Sequence, residues 1–351
     1  MPQTLRHLSD LNALKFDTVI DVRSPSEYAE DHIPGAISLP VLSDAERAEV
    51  GTIYVQDSPF MARKIGAALV ARNAAHHLET ALADRPKGFT PLVYCWRGGQ
   101  RSGSFALILK QVGWQADTIE GGYRAFRRLV KSALYDDPWP CPVVVLDGNT
   151  GTAKTDILKR AGQMGAQVLD LEGMANHRGS VFGPMAGGQP SQKAFETRLG
   201  MAAAALDPAR PVLVEAESTK IGDINLPPSL WAAMKTAPRV VIEAPIAARA
   251  GYLVSAYAEI AADRGALAET IARLSTMHSA DRIAAWDKMA QTGSVVDLAA
   301  ELITDHYDPR YRRQRARHTP EVITSIALPD LSEVQRAEAA ARVAEVLARS
   351  G

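Results

Sequence analysis

Two cysteines in 351 residues, Cys95 and Cys141, are too few for a disulfide scaffold or a cysteine-rich zinc site. They fit a reducing cytoplasm. No apolar run is long enough to span a bilayer, and the opening Met-Pro-Gln-Thr-Leu-Arg lacks the apolar core of a secretion signal. The expectation is therefore a cytoplasmic chain with no membrane partner. Charge of one sign is also missing. The net charge is −1, so nucleic acid, if bound, must be held by local patches rather than by a globally basic surface. What the chain does have is 46% hydrophobic and 23% charged residues, enough for two ordinary cores, and a length that favours two domains.

The most informative stretch is Val143-Val-Val-Leu-Asp-Gly-Asn-Thr-Gly-Thr-Ala-Lys-Thr155. Val143 to Leu146 suit a strand covered on both faces. Gly148, Asn149, Thr150, Gly151, Thr152, Lys154 and Thr155 follow the spacing of a phosphate-binding loop, except that Ala153 replaces the glycine before the lysine. Such a loop aims backbone N–H groups at phosphate oxygens, the lysine adds charge, and the hydroxyl reaches a metal. The following helix presents its N-terminus to the same anion. The Ala153 methyl either narrows this cradle or is harmless with a negative φ. It bears on nucleotide hydrolysis more than on diphosphate binding.

Upstream, Phe16–Arg23 reads as a short buried strand, Ser24-Pro-Ser-Glu-Tyr as a helix start capped by Ser24, and Ala36–Leu39 as another strand. Residues 60–83 have helical spacing. Pro91-Leu-Val-Tyr-Cys95 reads as a strand that delivers Cys95 at its C-terminal end, where open α/β sheets gather their ligands. After Cys95 come Trp96, Arg97, Gly98, Gly99, Gln100 and Arg101, then a helix over residues 102–112. Glycines let N–H groups converge, and Arg101 and the helix N-terminus add positive potential. That setting favours a nucleophilic thiolate over an inert strand-end thiol. His32, in a turn beside a proline, is read as structural.

Arg124, Arg127, Arg128 and Lys131 fall at i, i+3, i+4 and i+7 on one helical face, either a solvated face or a phosphate-binding stripe. Asp136-Asp-Pro-Trp-Pro-Cys-Pro142 breaks the pattern with three prolines. The boundaries follow: a first domain over 1–135, a linker over 136–142, and a second domain over 143–351. Cys141, between two prolines, is read as a spectator.

In the second half, Asn176, His177 and Arg178 lie on a polar, glycine-rich loop, where function tends to collect. Pro211–Ser218 reads as a strand ending in carboxylates, and 239–245 as one more. Glu215 is a candidate Mg²⁺ ligand beside Thr155; the alternative is a carboxylate paired with Lys220 or an arginine. The remainder, 246–350, reads as mostly helical. Within it, residues 306–318 include Arg310, Tyr311, Arg312, Arg313 and Arg315, and arginine interleaved with aromatics suits single-stranded RNA better than plain solvent.

Asp21-Val-Arg-Ser-Pro-Ser-Glu-Tyr, His32-Ile-Pro-Gly-Ala and Cys95–Ser102 resemble the rhodanese domain, in which the loop cysteine carries sulfur or selenium. The spacing also matches the tyrosine phosphatase loop, but Tyr94 stands where that loop usually has histidine. With Leu171-Glu-Gly-Met-Ala-Asn-His-Arg-Gly-Ser, Pro190-Ser-Gln-Lys-Ala-Phe-Glu, Glu215-Ala-Glu-Ser-Thr-Lys-Ile-Gly and His306-Tyr-Asp-Pro-Arg-Tyr, nearly the whole chain resembles the tRNA 2-selenouridine synthase family. The resemblance implies an α/β fold: an N-terminal rhodanese-like domain, then a P-loop NTPase-like domain with a helical C-terminal part. It implies a cytoplasmic enzyme that converts wobble 2-thiouridine of tRNA to 2-selenouridine. Geranyl diphosphate first alkylates the sulfur, and selenophosphate then supplies selenium. It also implies no tightly bound cofactor, Mg²⁺ as a candidate ion, and a selenophosphate-producing enzyme as a candidate partner. Competing readings are a rhodanese-type sulfurtransferase and a nucleotide-dependent kinase or ATPase.

Overall fold

Four consecutive buried residues, Pro91–Tyr94, make the central strand of one sheet, and six, Val143–Gly148, that of another. Strands covered on both faces are apolar throughout rather than alternating, and both sheets are parallel. The computed structural model describes residues 2–315 and 321–349, except the side chains of Ala261, Gln314 and Arg315. The end of the basic run, 316–318, and the Arg315 side chain therefore lie outside the described residues. No helix among the described residues is long and apolar enough to cross a membrane.

The chain forms two compact units, 1–138 with 190–205, and 139–189 with 206–351. The helix Gln192–Ala204 belongs to the stretch that the sequence assigns to the second domain, yet it packs within the first unit. Gly200 explains the fit. A Cβ added there would meet Val130 at 3.3 Å and Leu8 at 3.4 Å, so a larger side chain would wedge the helix away.

In the first unit, β1 (Thr18–Asp21), β2 (Ile37–Ser38), β3 (Pro91–Tyr94) and β4 (Asp117–Thr118) run in the order β2-β1-β3-β4. Ile20, Val22, Val93, Phe105 and Leu109 form its core. Pro25 sits in the first turn of the helix Pro25–Glu30, and the Glu27 carboxylate accepts the Ser24 N–H at 3.1 Å, closing that helix's N-terminus. The helix Gln100–Val112 ends on Gly113, which is left-handed at φ 102°.

The second unit contains β5 (Val143–Gly148), β6 (Gln167–Leu169), β7 (Val212–Glu215), β8 (Lys220–Ile221), β9 (Ile224–Asn225), β10 (Arg239–Glu243) and β11 (Val322–Ala327). Its main sheet has the order β11-β10-β5-β7-β6, while β8 and β9 form a small antiparallel pair. The strand β11 lies inside the region read as mostly helical. It is an edge strand with Ile326 as its one buried side chain, so it lacks the continuous apolar run that marks β5. The helices Arg264–Ala272, Ala280–Thr292 and Val295–Glu301 enclose a separate core around Ile271, Trp286 and Leu298.

Candidate active site

The strand β3 ends immediately before Cys95, whose side chain is buried and accepts the Ser102 hydroxyl at 3.2 Å. The loop is laid on the turn Gly121–Gly122. The carbonyls of Cys95 and Trp96 accept the N–H groups of Tyr123 and Arg124, each at 2.9 Å. Two glycines make this approach feasible. Gly98 and Gly122 have φ of 66° and 58°, and an added Cβ would stand 2.6 Å from the Ile119 carbonyl and 2.2 Å from the Cys95 carbonyl, respectively. Gly122 was not singled out from the sequence, because its role rests on a contact distant along the chain. Gly122→Ala should destabilise the protein by about 2–5 kcal/mol, combining a left-handed alanine with overpacking. An unchanged denaturation midpoint would refute the close approach.

Arg101, expected to face a loop-bound anion, is instead engaged by a carboxylate. Its Nη1 donates to Glu27 at 2.9 Å. Burial pushes the Glu27 carboxyl up, but the hydrogen bond and charge of Arg101 outweigh it and hold Glu27 below its usual range. Arg97, Gly99 and Gln100 are exposed, and Trp96 packs on Tyr123 with ring centroids 5.3 Å apart. Beneath them, Arg23 is fully buried, paired with Asp21 at 2.6 Å and lying 3.9 Å over the Tyr123 ring. Asp31 accepts hydroxyls from Tyr123 and Thr197, both at 2.8 Å. Burial raises its carboxyl despite these bonds. His32 stacks on Tyr28 at 3.9 Å, in keeping with a structural role.

The basic stripe is divided. Arg124, Arg128 and Lys131 are exposed. Arg127 is drawn inward by Glu196, which also accepts the Tyr135 hydroxyl at 2.6 Å. Cys141 is buried, and burial pushes its thiol up.

The phosphate loop follows β5 and opens the helix Lys154–Gln163. Thr152 is buried and donates to the Asn149 carbonyl at 2.9 Å, folding the turn. The Lys154 ammonium curls back onto the carbonyls of Gly148 at 2.9 Å and Asn149 at 3.3 Å. Ala153 is left-handed, at φ 60° and ψ 28°, so the negative φ that would make its methyl harmless is not adopted. That conformation costs about 1–2 kcal/mol in an alanine. Burial of the methyl in the sheet core offsets about 0.8 kcal/mol of it.

A cavity of about 510 Å³ adjoins this loop. Thr150, Gly151, Lys154 and Thr155 line it, together with Arg178, Lys235 and Arg310. Its acidic side is a cluster that the sequence showed only in part. Glu215 lies opposite Leu146 in the register of β5 with β7 and is buried. Glu172 accepts the Thr155 hydroxyl at 2.9 Å, and Thr155 also lies within hydrogen-bonding reach of Glu215. The Glu172 N–H points to Glu215 at 3.4 Å, and Glu217 lines the same cavity. Among the described residues, neither Lys220 nor an arginine bonds Glu215, and its Oε1 has no hydrogen-bond partner. Hydroxyl and carboxylate oxygens suit a hard cation such as Mg²⁺. Among the described residues, no group of three or more His, Cys, Asp or Glu side chains is arranged to hold a metal, so such a cation would draw its remaining ligands from phosphate and water.

Burial, then the charges of Glu172 and Asp170, push the Glu215 carboxyl up from 4.5 to about 8. The folded state therefore retains a proton that the unfolded chain releases, and stability falls as pH rises between those values. Glu215→Gln removes that loss. Its advantage over the parent in denaturation midpoint should grow from about pH 4.5 to pH 8 and then level off. A pH-independent difference would count against a buried, protonated Glu215.

Of the polar loop, Arg178 faces the cavity and lies 4.6 Å over the Tyr257 ring. Asn176 is left-handed at φ 47° and donates to the carbonyls of Ala186 at 2.9 Å and Gly188 at 2.8 Å. His177 is buried and bonds the Gly179 N–H at 3.1 Å, and burial lowers its imidazole pKa. These two shape the loop that carries Arg178. In the arginine run, Arg310 and Tyr311 line the cavity, with the Lys154 ammonium 5.7 Å from the Tyr311 ring centroid, and Arg310, Arg312 and Arg313 are all exposed. Tyr252, Tyr257 and Tyr307 also line it. Tyr307 belongs to the quoted His306-Tyr-Asp-Pro-Arg-Tyr stretch, whereas nothing local marks Tyr252 and Tyr257.

Two family models match the chain. Residues 2–129 match the rhodanese-like domain, and residues 141–289 match the tRNA 2-selenouridine synthase AAA domain. A tRNA 2-selenouridine synthase of Pseudomonas syringae pv. syringae is 34% identical over 345 residues, covering 88% of this chain and 91% of the relative. That of Pseudomonas syringae pv. tomato is 37% identical, covering 73% and 72%. That of Aeromonas salmonicida is 39% identical, covering 69% and 66%. With a cysteine loop ending β3 and a phosphate loop ending β5, the chain belongs to the tRNA 2-selenouridine synthase family.

Proposed function

We propose that the chain converts 2-thiouridine of tRNA to 2-selenouridine in two steps, with the phosphate loop serving the first and the Cys95 loop the second. The observation that carries this reading is the phosphate loop with its cationic cavity. Lys154, Arg178, Lys235 and Arg310 all line it, a composition suited to a diphosphate. In the first step, the 2-thio sulfur attacks C1 of geranyl diphosphate. The C1–O bond breaks, and diphosphate leaves with its charge neutralised by Lys154 and the loop N–H groups. No nucleotide need be hydrolysed. Mg²⁺, when bound, would neutralise the same charge, held by Thr155 with Glu172 and Glu215 nearby.

A 2-thio sulfur is a poor leaving group. Alkylation makes C2 electrophilic and turns the sulfur into a departing thiol. Selenium in selenophosphate is already at the oxidation level it has in 2-selenouridine. Its attack on C2, with loss of geranyl thiol and transfer of phosphate to water, needs no redox partner. The Cys95 loop directs this step. The exposed Arg124, Arg128 and Lys131 of the first unit, and Arg312 and Arg313 of the second, are the proposed RNA contacts, together with Arg315.

The test is nucleoside mass analysis of a 2-thiouridine anticodon stem-loop given geranyl diphosphate and then selenophosphate. A geranyl adduct that converts to 2-selenouridine is expected. Unchanged 2-thiouridine with folded, RNA-binding protein would return the chain to the sulfurtransferase or kinase readings. RNA affinity should also fall steeply with salt, and replacing both Arg124 and Arg128 by Ala should flatten the log–log slope by about 1.4–1.8. An unaltered slope would remove those arginines from the interface.

A further inference from the structure

Beside the phosphate-loop cavity lies a second, smaller cavity of about 80 Å³ in the same unit. Its polar lining residues are Thr150, Ser180, Tyr257 and Tyr307, and all four also line the larger cavity. Polar groups therefore occur where the two cavities share walls. The remaining lining is hydrocarbon throughout: Phe182 from the glycine-rich loop, Leu253 from the helix Ile246–Ala256, and Leu267, Leu298, Ala299 and Leu302 from the helices beyond it. Thr150 belongs to the phosphate loop itself, so the apolar space begins at the residues that would hold a phosphate.

A nucleoside placed there would bury ribose hydroxyls and base edges without partners, at a cost comparable to lost hydrogen bonds. A hydrocarbon chain would bury methylenes and lose nothing polar. We propose that this cavity receives the hydrocarbon tail of an isoprenoid diphosphate whose head group occupies the phosphate loop, and that its depth selects the chain length. The inference rests on the proposed role of that loop as the diphosphate site.

The test compares binding of inorganic pyrophosphate, dimethylallyl diphosphate, geranyl diphosphate and farnesyl diphosphate to the full chain by titration calorimetry. Each buried methylene is worth about fourfold in affinity, so the geranyl tail should raise affinity over pyrophosphate by at least about 100-fold. Ala299→Phe, which fills the cavity, should weaken geranyl diphosphate binding by about tenfold or more and leave pyrophosphate within about twofold. Val295→Ala, which widens it, should shift preference from geranyl toward farnesyl diphosphate by about threefold, and serves if the phenylalanine variant does not fold. Pyrophosphate bound as tightly as geranyl diphosphate would overturn the tail site and leave the diphosphate site standing. So would an unshifted geranyl-to-farnesyl ratio in Val295→Ala. Failure of the parent to bind any of the four would overturn both.

Discussion

Lys154→Ala should slow S-geranylation of 2-thiouridine by about 10²–10³-fold, the usual effect of removing one preorganised group from developing charge. Charge builds on diphosphate as its bond to C1 breaks, and Lys154 is the cation that the loop itself brings to the cavity. Its ammonium rests on the carbonyls of Gly148 and Asn149. Those contacts place the charge at the loop in advance, so little reorganisation is needed when phosphate arrives. The substitution should weaken pyrophosphate binding as well, and should leave selenation of a stem-loop supplied already geranylated within about twofold of the parent. Single-turnover rates on the two substrates check this. Unchanged geranyl transfer would remove Lys154 from the diphosphate site, and equal loss of both steps would argue for a general defect.

Cys95→Ala should give the opposite pattern, with selenation falling to background and geranylation retained. The thiol is buried beside Ser102, and truncation removes one sulfur and leaves the Ser102 hydroxyl its second acceptor, the Gly99 carbonyl at 3.3 Å. The stability cost is therefore about 1 kcal/mol, small against the expected chemical effect. Accumulation of the geranylated nucleoside would be the signature, read by mass analysis of the digested stem-loop. Loss of both steps in a folded variant would end the division of labour between the two loops.

The two loops and the strands that present them are legible in the order of the residues. A buried parallel strand declares itself as an unbroken apolar run, and a phosphate loop is a local arrangement of N–H groups, one cation and one hydroxyl, all within a few residues. The same holds for Cys95 and its glycines. The tertiary structure alone decided who neighbours whom. Arg101 reads as a source of positive potential in the loop, and Glu27, on another helix, pairs with it. Arg127 looked like part of an exposed stripe until Glu196 drew it inward. Thr155 meets Glu172, which the sequence does not mark, as well as Glu215. Arg310 and Tyr311, spaced like an RNA-binding run, also line the cavity beside the phosphate loop. The helix Gln192–Ala204 lies in the second half of the chain and packs in the first unit. In each case the deciding energy is a long-range pairing of charge or shape, and the residue's own neighbours in sequence carry no trace of the partner. Local chemistry is legible where the chain itself supplies every contributing group; ion pairs and cavity walls are assembled only on folding.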